Sequence, residues 1–150
     1  SYQFAAQVMS RERFFQIRCY LHFSDDRCVA NDKLHKVRYL LDHLRHAFQS
    51  EYVPHKQVTV DESMVPFKGR LSLKQYMKDK PVKFGIKIRV LADAVISYCY
   101  NFDVYVGKNA EVVNENLGLA SKVVIALTKT IEMKGYEIYT DTFLYKPSPG

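Results

Sequence analysis

The feature that most limits what this chain can fold into is a change of hydrophobic period near residue 55. Ahead of it, apolar residues recur at helical spacing. Ser10 can cap a helix carrying Phe14, Ile17 and Leu21 at the i, i+3, i+7 rhythm, and Ser24-Asp25-Asp26 breaks it. A second helix is expected from about Asn31, with Leu34, Val37, Leu41, Leu44 and Phe48 inward, Lys33, Lys36, Arg38, His43 and Arg45 outward, and Pro54 marking its end. Beyond it the pattern alternates, which is the period of a strand. Val58-Thr59-Val60-Asp61-Glu62 is a short β-branched run; Phe84, Ile86, Ile88 and Val90 form a second, and Tyr98 to Val106 a third. A helix with Leu117, Ala120, Val124, Leu127 and Ile131 on one face then runs to Gly135, and Tyr136 to Asp141 reads as a fourth strand. Helices followed by β-β-β-α-β make this an α/β chain.

That order carries a geometric expectation. If the first three strands form an antiparallel meander, strands one and three run the same way, and a helical crossover returns the fourth parallel to them. Its natural slot is the free edge beside strand one. Asp61 near the end of strand one and Asp141 at the end of strand four would then meet and could share a divalent cation. Mg²⁺ takes oxygen ligands and keeps positions open for phosphate oxygens, so two or three carboxylates suffice. Asp93 ends the strand that runs the other way and is expected at the far edge, and Glu62 faces away from Asp61. Two acids 80 positions apart prove little by themselves, since exposed strand ends or helix caps read the same way; it is their convergence in the expected sheet, combined with a basic, aromatic-laced stretch, that singles them out.

Charge is concentrated in one place. Pro66 to Arg89 holds eight Lys and Arg against a single acid, Asp79, so this stretch contains the whole excess of a chain whose formal net charge is +6. Lys68, Arg70, Lys74, Lys78, Lys80, Lys83 and Lys87 are the candidate DNA-binding residues, interleaved with Phe67, Tyr76 and Phe84. Cations suit a phosphate backbone and the rings offer something to stack on; a solvated basic surface would have the same composition. Cys19, Cys28 and Cys99 are odd in number and contain no CxxC pair, which fits buried or half-buried thiols in a reducing compartment and argues against a disulfide framework or zinc knuckle. No run approaches the 18 or so apolar residues of a membrane span, so no membrane partner is expected. The start, Ser1-Tyr2-Gln3-Phe4, and the end, Lys146 to Gly150, read as cut edges.

Several segments also resemble a known family. Met9-Ser10-Arg11-Glu12-Arg13-Phe14, Val58 to Met64, Phe67-Lys68-Gly69-Arg70, Lys80 to Lys87, Tyr105-Val106-Gly107, and Lys134 through Asp141 to Phe143 are similar, in order, to the piggyBac transposases and their domesticated relatives. The resemblance implies an RNase H-like mixed sheet, incomplete here, preceded by a helical segment. Residues 1–55 correspond to a partial dimerisation or DNA-binding-like helical segment, and 56–150 to the first part of a DDE catalytic domain that stops before the third carboxylate. It implies Asp61 and Asp141 as the first two catalytic, metal-binding aspartates, and Mg²⁺ or Mn²⁺ as cofactor in the intact parent. The implied partners are DNA, at transposon ends and target site, and a second copy in a homodimer, in the nucleus. Thr142 stands where the family usually has Asn, and Tyr145 where a small hydroxyl residue is common. Lacking the third carboxylate, the chain alone is expected to be inactive. A domesticated DNA- or protein-binding module is the alternative.

Overall fold

The computed structural model describes residues 3–24, 32–78, 80–107 and 119–140. The chain forms two compact units, Ser1–Leu41 and Asp42–Gly150. In the first unit, helix α1 (Gln3–Val8) is followed by α2 (Arg11–Tyr20). Ser10 caps α2 as its sequence foretells, its side chain accepting the Arg13 N–H at 3.2 Å. The apolar positions of α2 are a different matter. Phe14, Ile17 and Leu21 stand exposed and α2 buries no residue, so helical period correctly marks the element but not a covered face. Helix α3 (Arg38–Glu51) begins later than Asn31, which lies outside the described residues. Asp32 explains the delay: it accepts the Leu34 N–H and both the Nε and NH2 donors of Arg38, which holds 33–37 in a turn. Arg38 and the Leu34 N–H together hold the Asp32 carboxyl down at about 2.

The second unit is built on a five-stranded mixed sheet. Strands β1 (Gln57–Pro66), β3 (Phe84–Asp93) and β4 (Cys99–Val104) form the expected antiparallel meander. The crossover through α4 (Leu119–Thr128) and the 3₁₀ turn Lys129–Ile131 leads to β5 (Glu137–Thr140), which lies parallel to β1 on its free edge. A short strand absent from the sequence reading, β2 (Lys74–Tyr76), pairs with the start of β3. It is only three residues long, too short for alternation to announce it. β1 is twice the length of the β-branched run that signals it, because Ser63 to Pro66 still find ladder partners in Gly85 to Ile88.

One face of the sheet is apolar at the end where α4 packs. Val58, Val60, Leu91 and Tyr100 meet Val123, Leu127 and Ile131 in one cluster. Val58, Val60 and Leu91 are all but fully buried, and each such side chain contributes about 1.5–3 kcal/mol by leaving water. Asn101 ties the helix to the sheet: its Nδ2 donates to the Leu127 carbonyl at 2.8 Å and its Oδ1 accepts the Phe102 N–H. Leu117 and the side chain of Ala120 lie outside the described residues. The second half of α3 lies against β4, with the Phe48 ring 5.9 Å from that of Phe102 and 6.2 Å from that of Tyr98. Arg45, expected to face outward, instead donates to the Phe102 carbonyl at 2.8 Å and covers the Phe102 ring. Its aliphatic stem makes it amphipathic, which a charge-based reading of the helix misses.

Candidate functional site

Asp61 is in the middle of β1, opposite Val90 of β3, and not at the strand's end. The parallel ladder with β5 explains why the position still matters. It runs Gln57↔Glu137, Val58↔Ile138, Thr59↔Tyr139 and Val60↔Thr140, so Asp61 is the first residue of β1 beyond its described pairing with β5. Alternation puts Asp61, Thr59 and Ser63 on the face opposite buried Val58 and Val60. The Asp61 carboxylate is exposed, and its Oδ1 accepts the Glu62 N–H at 2.6 Å. Asp141 follows Thr140 by one peptide bond and lies, with Thr142 and Tyr145, outside the described residues. Among the described residues no group of three or more His, Cys, Asp or Glu could hold a metal ion. Glu62 does face away from Asp61, and there its carboxylate pairs with the Lys87 ammonium.

Asp93 has a different role from either aspartate. It closes β3 opposite Val58, on the face away from Asp61, and is fully buried. Its Oδ2 accepts the His55 N–H at 2.7 Å and the Tyr52 hydroxyl at 2.8 Å, and lies 2.8 Å from His55 Nδ1. Oδ1 accepts the N–H groups of Val95 and Ile96. Burial pushes the Asp93 carboxyl up, but the hydrogen bonds from His55 and Tyr52 prevail and hold it far below the usual carboxylate range. Burial, with Asp93 alongside, pushes the Tyr52 phenol up to about 12. This carboxylate locks the segment entering β1 to the turn leaving β3. Nothing in the sequence around Tyr52 and His55 signals that role.

The seven predicted basic residues divide into two sets. Lys68, Arg70, Lys78 and Lys83 are exposed. Lys74, Lys80 and Lys87 are half-buried: Lys74 Nζ donates to the Gly69 carbonyl at 3.2 Å, Lys80 Nζ donates to the Glu62 carbonyl at 3.2 Å, and Lys87 pairs with Glu62 beside the Tyr105 ring. Arg89 is buried, 3.7 Å from Asp103 and 5.0 Å from the centre of the same Tyr105 ring. The sheet thus uses part of the charge run internally and presents the rest around the β1–β2 and β2–β3 connections.

Residues 1–147 match the family model described as Transposase IS4, and 126 residues, 83% of the chain, are 32% identical to the human PiggyBac transposable element-derived protein 3. The chain belongs to the piggyBac transposase family. Within the same family, human PiggyBac transposable element-derived protein 2 is 29% identical over 135 residues, 89% of the chain. A cryo-EM structure of the piggyBac transposase synaptic complex with hairpin DNA superposes on 90% of the chain with a TM-score of 0.76 and 25% identity. The chain spans about a fifth of the length of these human relatives (21% and 23%) and 33% of the solved piggyBac chain. The mixed α/β fold expected from the sequence is therefore that of a piggyBac transposase. Among the described residues no helix is long and apolar enough to cross a membrane.

Proposed function

We propose that this chain carries the first two catalytic carboxylates, Asp61 and Asp141, of an RNase H-like DDE transposase domain whose intact parent cuts and joins DNA in the nucleus. The observation that supports it best is the parallel pairing of Val60 with Thr140, since each strand's next residue is an aspartate. On this reading the ladder continues by one residue on each strand, which would bring the two carboxylates together on the face away from the core. The donor chemistry fits a hard divalent cation. Asp61 offers an exposed carboxylate on a rigid strand, and Mg²⁺ or Mn²⁺ is held by one or two carboxylates together with substrate phosphates. Such an ion, when bound, supplies activation of water and stabilisation of the leaving oxygen. The ladder to β3 and the Glu62 N–H fix where Asp61 presents its oxygens. Transposon ends and target DNA are the proposed substrates, met by the exposed lysines, with a second copy as the proposed partner in a homodimer.

In the full-length parent, Asp61→Ala and Asp141→Ala should each abolish strand cleavage of a transposon-end duplex while leaving DNA binding intact. Undiminished cleavage by either variant removes that residue from the catalytic set. A second reading, a DNA- or protein-binding module without catalysis, is favoured by the human relatives being named as element-derived proteins. Under that reading the unmutated parent binds DNA and cuts none with Mg²⁺ or Mn²⁺ supplied.

A further inference from the structure

At the tip of the sheet furthest from α4, the chain leaves aromatic surface in the open. Tyr76 and Phe84 are cross-strand partners of β2 and β3, their rings 4.9 Å apart and tilted by 46°. They are 58% and 55% exposed, although aromatic rings in a small sheet are ordinarily covered. Beside Phe84 is a hollow walled by Pro66, Phe67, Val82 and Phe84, with Lys68 and Lys74 at its rim. Lys74 is held ready: its ammonium donates to the Gly69 carbonyl while standing 5.8 Å from the centre of the Phe84 ring. That bond engages one of its three N–H donors.

We propose that this tip binds an unpaired DNA nucleotide, the base stacked against Phe84 in the hollow and its phosphate met by Lys68 and Lys74. The inference rests on the DNA-binding reading above and narrows it to a single-stranded or flipped-out nucleotide. A duplex presents phosphates and groove edges to a protein surface, which the exposed lysines alone would satisfy. Apolar walls and open ring faces gain only from a base released from its own stack, since stacking on an aromatic side chain is available to any unpaired base. Placement agrees with this. Phe84, Ile86, Ile88 and Val90 share the face of the sheet on which Asp61 is exposed, and Val90 is Asp61's ladder partner. Six residues of strand separate Phe84 from Val90, which is about 20 Å at 3.3 Å per residue. A strand with its phosphate at Asp61 could therefore run along this face to the tip.

The test uses the 150-residue chain with a short single-stranded oligonucleotide containing 2-aminopurine and a duplex of the same sequence, at one fixed salt concentration. The single strand should bind with quenching of 2-aminopurine. Phe84→Leu, which keeps an apolar side chain but loses the ring, should weaken single-strand binding roughly 5- to 150-fold and leave duplex binding within about two-fold. Phe84→Trp should retain binding and quenching. Tyr76→Leu, at the more exposed ring of the pair, should show the same selective loss and guards against a folding defect in the Phe84 variant. The inference is overturned if both Leu variants bind the single strand as the parent does, or lose single strand and duplex equally. Duplex binding without single-strand binding overturns it alone, whereas binding of neither overturns the DNA reading as well.

Discussion

Removing the Asp93 side chain should cost the sheet more than any substitution at its exposed neighbours. Asp93→Ala deletes an acceptor that serves the His55 N–H, the Tyr52 hydroxyl and the N–H groups of Val95 and Ile96. All four bonds are part-buried, but those from Val95 and Ile96 close a local turn two and three residues on, whereas those from Tyr52 and His55 span 41 and 38 positions and hold the segment entering β1. A hydrogen bond to a charged group is worth about 1.5–3 kcal/mol, so losing these two puts the expected destabilisation at about 3–5 kcal/mol. With a urea dependence near 2 kcal/mol per molar, the midpoint of unfolding followed by far-ultraviolet circular dichroism at pH 7 should fall by about 2 M with its slope unchanged. Asp93→Asn should fall between, because its single amide oxygen can serve either the His55 N–H and Tyr52 or the Val95 and Ile96 N–H groups, and its NH2 must face the other pair. The pH dependence has a definite sign. A carboxyl whose folded pKa is depressed contributes stability above its unfolded value near 3.9 and loses it as pH falls through the folded value. The wild-type advantage over Asp93→Asn should therefore shrink below about pH 4. An unchanged midpoint for Asp93→Ala, or an advantage over Asn that persists undiminished to pH 2, would refute the reasoning.

Gly85→Ala should destabilise by about 1–3 kcal/mol in a thermal melt, because a Cβ there is driven into the Val65 carbonyl and β1 and β3 must part to admit it. Asn101→Ala leaves the Leu127 carbonyl and the Phe102 N–H without their partner; about 2–3 kcal/mol should be lost, with faster amide exchange along α4. Lys78→Gln and Lys83→Gln should each lower the salt slope of DNA binding by about 1, measured by anisotropy titrations across salt concentrations. Lys87→Gln should leave the slope unchanged, since its ammonium is engaged by Glu62.

Where the sequence was informative, one physical signal dominated locally. Val58 and Val60 alternate with polar residues and are buried, Ser10 caps the helix it precedes, and element order alone puts β5 beside β1. What local pattern leaves open is decided by tertiary partners. Helical spacing marks α2 as a helix and says nothing of what covers its apolar side chains, which are exposed. Charge points Arg45 to solvent, yet it is held by a carbonyl 57 residues away. The pairing of Lys87 with Glu62 is set by the β1–β3 register, which no local signal announces. Asp93 was recognised as ending its strand, and nothing local could tell that Tyr52 and His55 would converge on it. The parallel approach of β5 to Asp61 was legible from element order, and Asp141 itself lies outside the described residues.

The outer edge of β3 is divided between two strands: β2 takes Phe84 to Ile86, and β4 takes Ile88 to Ala92. Only the second portion belongs to the half of the sheet that α4 covers. Connections at the tip can therefore lengthen, shorten or change charge without disturbing the buried cluster or the ladder that carries Asp61. A lengthened connection between β2 and β3 should accordingly cost the fold less than a substitution at Val58, Val60 or Leu91, which lie in the buried cluster.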